Sequence, residues 1–126
     1  MYRVLVVDDD PAVRALLAMK LHAEGLECRQ AASARDGLAA CASFKPDAVV
    51  LDVHLPDADG IEVCRRLKAD PALRHIPILL VTGEAVQVES RTAGLDAGAD
   101  DYVIKPFNVR EVYSRIERLI RAAQAR

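Results

Sequence analysis

Four short apolar runs punctuate the chain: "VLVV" at 4–7, "AVVL" at 48–51, "ILLV" at 78–81 and "YVI" at 102–104. Each is short for a helix and lacks polar alternation, the pattern of a strand covered on both faces. A fifth segment, 26–31, is more polar and suits a sheet edge. Helix-length segments lie between the runs. Pro11 fits the first position of a helix capped by Asp10, with Val13, Leu16, Leu17 and Leu21 on one face and Gly25 at its end. A last helix starts at Asn108 and turns Val112, Ile116, Leu119, Ile120 and Ala123 inward, and segments 33–43, 58–69 and 85–97 supply three more. Strand followed by helix, repeated five times with short connections, predicts an α/β fold: a doubly wound, five-stranded parallel sheet flanked by five helices.

A chain of 126 residues accommodates one domain, 1–126, and can bury a core without disulfide or metal staples. With 52% apolar residues and a net charge of −2, it is neither a disordered chain nor one with a general attraction for nucleic acid or anionic membrane. Cys28, Cys41 and Cys64 are odd in number and lack C-x-x-C spacing, so they read as reduced structural thiols. No segment approaches the ~20 apolar residues of a membrane span, and the N-terminus has no charged stretch leading into a long apolar one. A cytoplasmic, soluble protein is the expectation.

Unusual polar residues close the strands. Asp8 and Asp9 follow the first, Asp52 the third, Thr82 the fourth and Lys105 the fifth. The carboxyl ends of parallel strands form the ligand-binding edge of an open α/β sheet. Each residue alone has an ordinary reading: a turn or cap for an Asp, a turn for Thr-Gly, a solvated loop for Lys-Pro. Asp10 beside Pro11 is kept as a cap. Together they aim three acids, a hydroxyl and an ammonium at one volume. Two carboxylates ~4 Å apart repel by about 4 kcal/mol at a surface-like dielectric, so the acids need a compensating charge. Clustered oxygen donors without His or Cys suit Mg²⁺, which takes one or two protein carboxylates plus a phosphate oxygen. Lys105 and Thr82 could hold the remaining phosphoryl oxygens, leaving Asp52 as a nucleophile that forms an aspartyl phosphate.

The elements "VVDDDP", "DAVVLDVHLPDADG", "IPILLVTG" and "GADDYVIKPF", in this order, resemble the receiver domain of bacterial two-component response regulators over nearly the whole chain. The resemblance implies a flavodoxin-like, CheY-like sheet of order 2-1-3-4-5. It implies that Asp52 accepts phosphate from a histidine kinase or phosphotransfer protein, and that Asp8, Asp9, Asp52 and the His54 carbonyl hold Mg²⁺. Thr82 and Lys105 would bind the phosphoryl group, and Lys105-Pro106 would be a cis peptide, a conformation that is costly except before proline. Such a protein is no enzyme beyond catalysing its own phosphorylation and dephosphorylation.

Thr82 and Tyr102 would form the switch, shifting the surface of the fourth helix, fifth strand and fifth helix toward an output domain or partner protein whose identity the residues leave open. His54 and Glu84 would tune the lifetime of the phosphate. By resemblance to the winged-helix transcription-factor branch of the family, the same surface would be a homodimer face, with Arg91 opposite Glu111, Asp101 opposite Arg115 and Asp96 opposite Arg118. A solvated charged face is the plain reading of those six residues. No nucleic-acid surface is visible, so any DNA contact would belong to another domain. A phosphatase of the haloacid dehalogenase type would need a second Asp where His54 stands, and three aspartates would repel the phosphate of a flavodoxin-type FMN. The rival that survives is a receiver-shaped interaction module working without phosphorylation.

Overall fold

The computed structural model describes residues 1–83 and 88–125, with side chains described for all of these except 88–91. Five strands form one sheet: β1 (Arg3–Val7), β2 (Glu27–Ala31), β3 (Ala48–Asp52), β4 (Ile78–Thr82) and β5 (Asp101–Ile104). All four pairings are parallel and the spatial order is β2-β1-β3-β4-β5. The helices are α1 (Pro11–Ala23), α2 (Ala34–Phe44), α3 (Gly60–Ala69), α4 (Val88–Asp96) and α5 (Val109–Gln124). From β1 the chain crosses to β2 on one side and returns to β3 on the other. That reversal opens a crevice beyond the carboxyl ends of β1 and β3.

Three of the apolar runs, 4–7, 48–51 and 78–81, are buried on both faces because alternate side chains feed two separate cores. The fourth, 102–104, departs from the expectation: β5 is the second edge of the sheet, so Val103 is buried while Tyr102 is half-buried and Ile104 exposed. Leu5, Val7, Val49, Leu51, Ile78 and Leu80 pack with residues of α2 and α3, including Cys41, Val63, Cys64 and Leu67. Val4, Val6, Val50, Leu79, Val81 and Val103 pack with Leu17 and Leu21 of α1 and Val112, Ile116 and Ile120 of α5. Each large side chain so buried contributes roughly 1.5–3 kcal/mol relative to exposure. Strand β2 is an edge and mostly exposed, in keeping with its polar sequence.

Two helical faces differ in detail from the sequence expectation. Leu16 is 51% exposed, whereas Leu17 and Leu21 are buried. The buried stripe of α1 runs at four-residue spacing through Val13, Leu17 and Leu21, and Leu16 lies about 100° around the helix from Leu17. On α5 the same spacing buries Val112, Ile116 and Ile120, while Leu119 and Ala123 stay at the margin.

Helix starts follow their caps: Asp10, Ser33, Asp59 and Asn108 each accept a hydrogen bond from a first-turn amide. The Asp59 cap explains why α3 begins at Gly60 and not at 58. The expected fourth helix, 85–97, is α4 from Val88, and 85–87 lie outside the described residues. Cys28, Cys41 and Cys64 are free thiols, and burial pushes each up to about 11, which keeps them protonated near neutral pH.

The α1 geometry separates two adjacent leucines. Leu17→Ala is expected to destabilise the protein by about 3 kcal/mol, and Leu16→Ala by less than about 0.5 kcal/mol, in urea denaturation. Equal losses would show that α1 buries a wider face than this one.

Candidate functional site

At the carboxyl edge of the sheet, four of the five strands, β1, β3, β4 and β5, end in or lead directly into the polar residues singled out by the sequence. Asp8, directly after β1, is 3% exposed, and Asp52, the last residue of β3, is 4% exposed. One carboxylate oxygen of Asp8, Asp9 and Asp52 each lies within 4.8 Å of the others. Asp9 is exposed, at the open side of the cluster. Lys105 reaches in from the segment after β5, its Nζ 3.1 Å from Asp8 Oδ2 and 3.2 Å from Asp52 Oδ2.

Backbone contacts hold these side chains. Asp8 N–H donates to the Ala31 carbonyl, Asp10 N–H donates to Asp8 Oδ1 at 2.9 Å, and Lys105 N–H donates to the Thr82 carbonyl at 2.7 Å. The Lys105-Pro106 peptide is cis. His54 is exposed; its N–H donates to Asp52 Oδ1 at 3.3 Å, and it forms an isolated bridge with Asp59. At Gly60 an added Cβ would lie 2.2 Å from the Asp52 carbonyl oxygen, so only glycine lets α3 start this close to the end of β3.

Burial and the neighbouring Asp8 charge push the Asp52 carboxyl above its usual range, against the pull of Lys105 and the His54 amide. Burial disfavours the Lys105 ammonium, but hydrogen bonding to Asp8 and the charges of Asp52 and Asp8 outweigh it and raise Lys105. Thr82, at the end of β4, is 1% exposed, and its Oγ1 has no hydrogen-bond partner among the described residues. A buried orphan hydroxyl costs about 1–3 kcal/mol, and such groups call for an explanation in function. Three carboxylates without nitrogen or sulfur donors form a hard-oxygen set that fits Mg²⁺, and the Thr82 hydroxyl is a donor still to be used.

Tyr102, opposite Leu80 in the β4–β5 register, is half-buried against the α2–α3 core. Glu84 lies outside the described residues, as does the side chain of Arg91. Asp96, Glu111 and Arg118 are exposed. Arg115 pairs within its own chain, its Nη1 2.8 Å from Asp101 Oδ2 and its Nη2 3.2 Å from Glu111 Oε2. A homodimer on this face would have to exchange those contacts for intermolecular ones.

Two residues escaped the sequence reading. Arg14 Nη1 donates to the Asp8 carbonyl at 2.8 Å, placing a second cation beside the acidic cluster. Side-chain periodicity does not announce it, because the acceptor is a backbone carbonyl six residues earlier, outside the helix. Asp57 accepts from the amides of Ala34 and Arg35, and nothing local announces a contact spanning more than 20 residues.

A family model described as the response regulator receiver domain matches residues 4–117. Response regulator MprA of Mycolicibacterium vanbaalenii is 48% identical over 119 residues, covering 94% of this chain and 50% of the relative. The DNA-binding dual master transcriptional regulator RpaA of Synechocystis sp. is 40% identical over 121 residues, covering 96% and 50%. The chain thus spans about half the length of the curated relatives it matches. Among solved structures, a response regulator receiver domain protein (CheY-like) from Methanospirillum hungatei superposes with a TM-score of 0.92 at 30% identity, covering 99% of this chain and 98% of the other.

The direction of the Asp52 shift fixes a sign. Its folded-state pKa is raised, so its favourable contribution is complete below the ordinary carboxylate range and is lost as pH rises through the folded value. Asp52→Asn is therefore expected to raise the urea midpoint at pH 7.5 in EDTA, with the gain shrinking as pH falls toward 4. A variant less stable than the wild type at pH 7.5 would mean that the Lys105 pairing outweighs the repulsion.

Proposed function

The chain belongs to the response regulator receiver domain family, and we propose that it works as a phosphoacceptor switch with Asp52 as the acceptor. The observation that carries this reading is the Lys105 ammonium bridging the buried carboxylates of Asp8 and Asp52, with Asp9 beside them at the strand ends. Asp8, Asp9, Asp52 and the His54 carbonyl would hold Mg²⁺. When bound, the ion supplies positive charge that neutralises the acids and the incoming phosphoryl oxygens.

An Asp52 carboxylate oxygen attacks phosphorus as the P–N bond of a donor phosphohistidine breaks, its electron pair returning to the imidazole. The donor is a histidine kinase or phosphotransfer protein. Lys105 turns its ammonium to the new phosphoryl group, and the Thr82 hydroxyl donates to another of its oxygens, satisfying the buried orphan. These contacts exist only in the phosphorylated state, so they shift the balance between two conformations. Thr82 and Tyr102 carry that shift to α4, β5 and α5, where Asp96, Asp101, Glu111, Arg115 and Arg118 would offer a face to an output domain, a partner or a second copy. The exposed His54, with Glu84, which lies outside the described residues, would set how long the phosphate survives.

The output would come from an output domain or from a separate partner protein. One relative is named as a DNA-binding transcriptional regulator of about twice the length, and a net charge of −2 gives this segment no general attraction for nucleic acid itself. No helix among the described residues is long and apolar enough to cross a membrane.

Incubation with acetyl phosphate and Mg²⁺ is expected to add one phosphoryl group by intact mass. The gain should disappear in EDTA and in Asp52→Ala. A folded, Mg²⁺-binding protein that gains nothing would favour the interaction module that works without phosphate. Tyr102→Ala is expected to keep the mass gain but lose the acetyl-phosphate-induced change in amide hydrogen exchange of β5 and α5. An unchanged exchange response would remove Tyr102 from the switch.

A further inference from the structure

Asp57 stands in the loop between β3 and α3, three residues after His54, and its carboxylate reaches across to α2. Its Oδ1 accepts from the Ala34 amide at 2.8 Å and its Oδ2 from the Arg35 amide at 3.0 Å. These are the first two amides of α2, where the helix dipole also favours a negative charge. The two bonds hold the Asp57 carboxyl below its usual range. Helix α2 already has a local cap, since Ser33 Oγ accepts from the Asp36 amide at 3.1 Å. A long-range carboxylate therefore adds something a local cap does not: it ties the loop to the helix.

The ends of that loop are anchored by other means. Gly60 N–H donates to the Val53 carbonyl at 2.7 Å, Val53 N–H donates to the Val81 carbonyl, and Asp59 caps α3 through the Ile61 amide. Between those anchors the backbone of His54 runs past Asp52, and Asp57 clamps the outer part of the same turn.

We infer that Asp57 is a positioning residue for Mg²⁺ binding: by clamping the β3–α3 loop onto α2, it holds the segment carrying the His54 carbonyl against the Asp8–Asp9–Asp52 cluster. The inference rests on the phosphoacceptor reading above. Partners in the outer shell of a metal site typically change affinity by 10- to 100-fold, and a single carbonyl ligand belongs at the low end.

The test is calorimetric titration of Mg²⁺ into the wild-type chain, Asp57→Ala, Asp57→Asn and Ser33→Ala, at low salt and at about 0.5 M salt, with melting curves for each. Asp57→Ala is expected to bind Mg²⁺ about tenfold more weakly at both salt concentrations, with faster hydrogen exchange at the His54 amide. Asp57→Asn, keeping one acceptor, should fall between it and the wild type. Ser33→Ala loses a cap of the same helix, so its Tm should drop by roughly 3–5 °C while its Mg²⁺ affinity stays at the wild-type value. Wild-type affinity in Asp57→Ala, or a loss matched by Ser33→Ala, overturns the inference. So does a loss that vanishes at high salt, which would be a long-range charge effect. A wild-type chain that binds no Mg²⁺ overturns the metal reading itself, and the inference with it.

Discussion

Lys105 holds together a site that electrostatics would otherwise push apart. Two carboxylates that are almost wholly buried, Asp8 and Asp52, share its ammonium at 3.1 and 3.2 Å, while Asp9 adds a third negative charge at the rim. Charges taken out of water are costly unless paired and hydrogen-bonded. The fold supplies the pairing from β5 and the hydrogen bonds from the amides of Asp10 and His54. The compensation is partial, since Asp52 is still pushed above its usual range. What remains uncompensated favours any process that brings positive charge in, a cation at the acidic cluster above all.

The rest of the architecture serves that edge. Parallel strands must all end on the same side, so β1, β3, β4 and the segment after β5 necessarily bring their terminal residues together. The apolar bodies of the strands fill two cores and have no alternative register that keeps both faces buried. The sheet can therefore carry unsatisfied and mutually repelling groups at its rim: an orphan Thr82 hydroxyl and a repelling acid pair. Residues Arg14 and Asp57 reinforce the rim from outside, one from α1 onto the Asp8 carbonyl and one from the β3–α3 loop onto α2.

Much of this was legible in the residues. Strand runs without alternation announce two-sided burial, and the polar residue that ends each run announces the edge. Asp8, Asp52, Thr82 and Lys105 are found together there because topology follows from the order of strands and helices. Leu16 illustrates the limit. In the sequence it is as apolar as Leu17, and only the angle at which α1 lies on the sheet selects one leucine over the other. Arg115 illustrates another, because Asp101 and Glu111 compete for it within the chain, and charge alternation alone cannot say whether a partner lies inside or outside the molecule.

By itself, then, the sequence determined the order of elements, the two-faced burial of the three central strands, the helix caps and the identities of the residues at the carboxyl edge. All of these depend on side-chain chemistry and short-range periodicity, which are written locally. The tertiary structure alone decided which carboxylates share Lys105, that Thr82 is left without a partner among the described residues, and that Asp57 closes on α2. Those contacts join residues 22 to 97 positions apart along the chain, as Asp57 with Arg35 and Lys105 with Asp8. Their geometry exists only once the sheet has brought separate strand ends within a few ångströms.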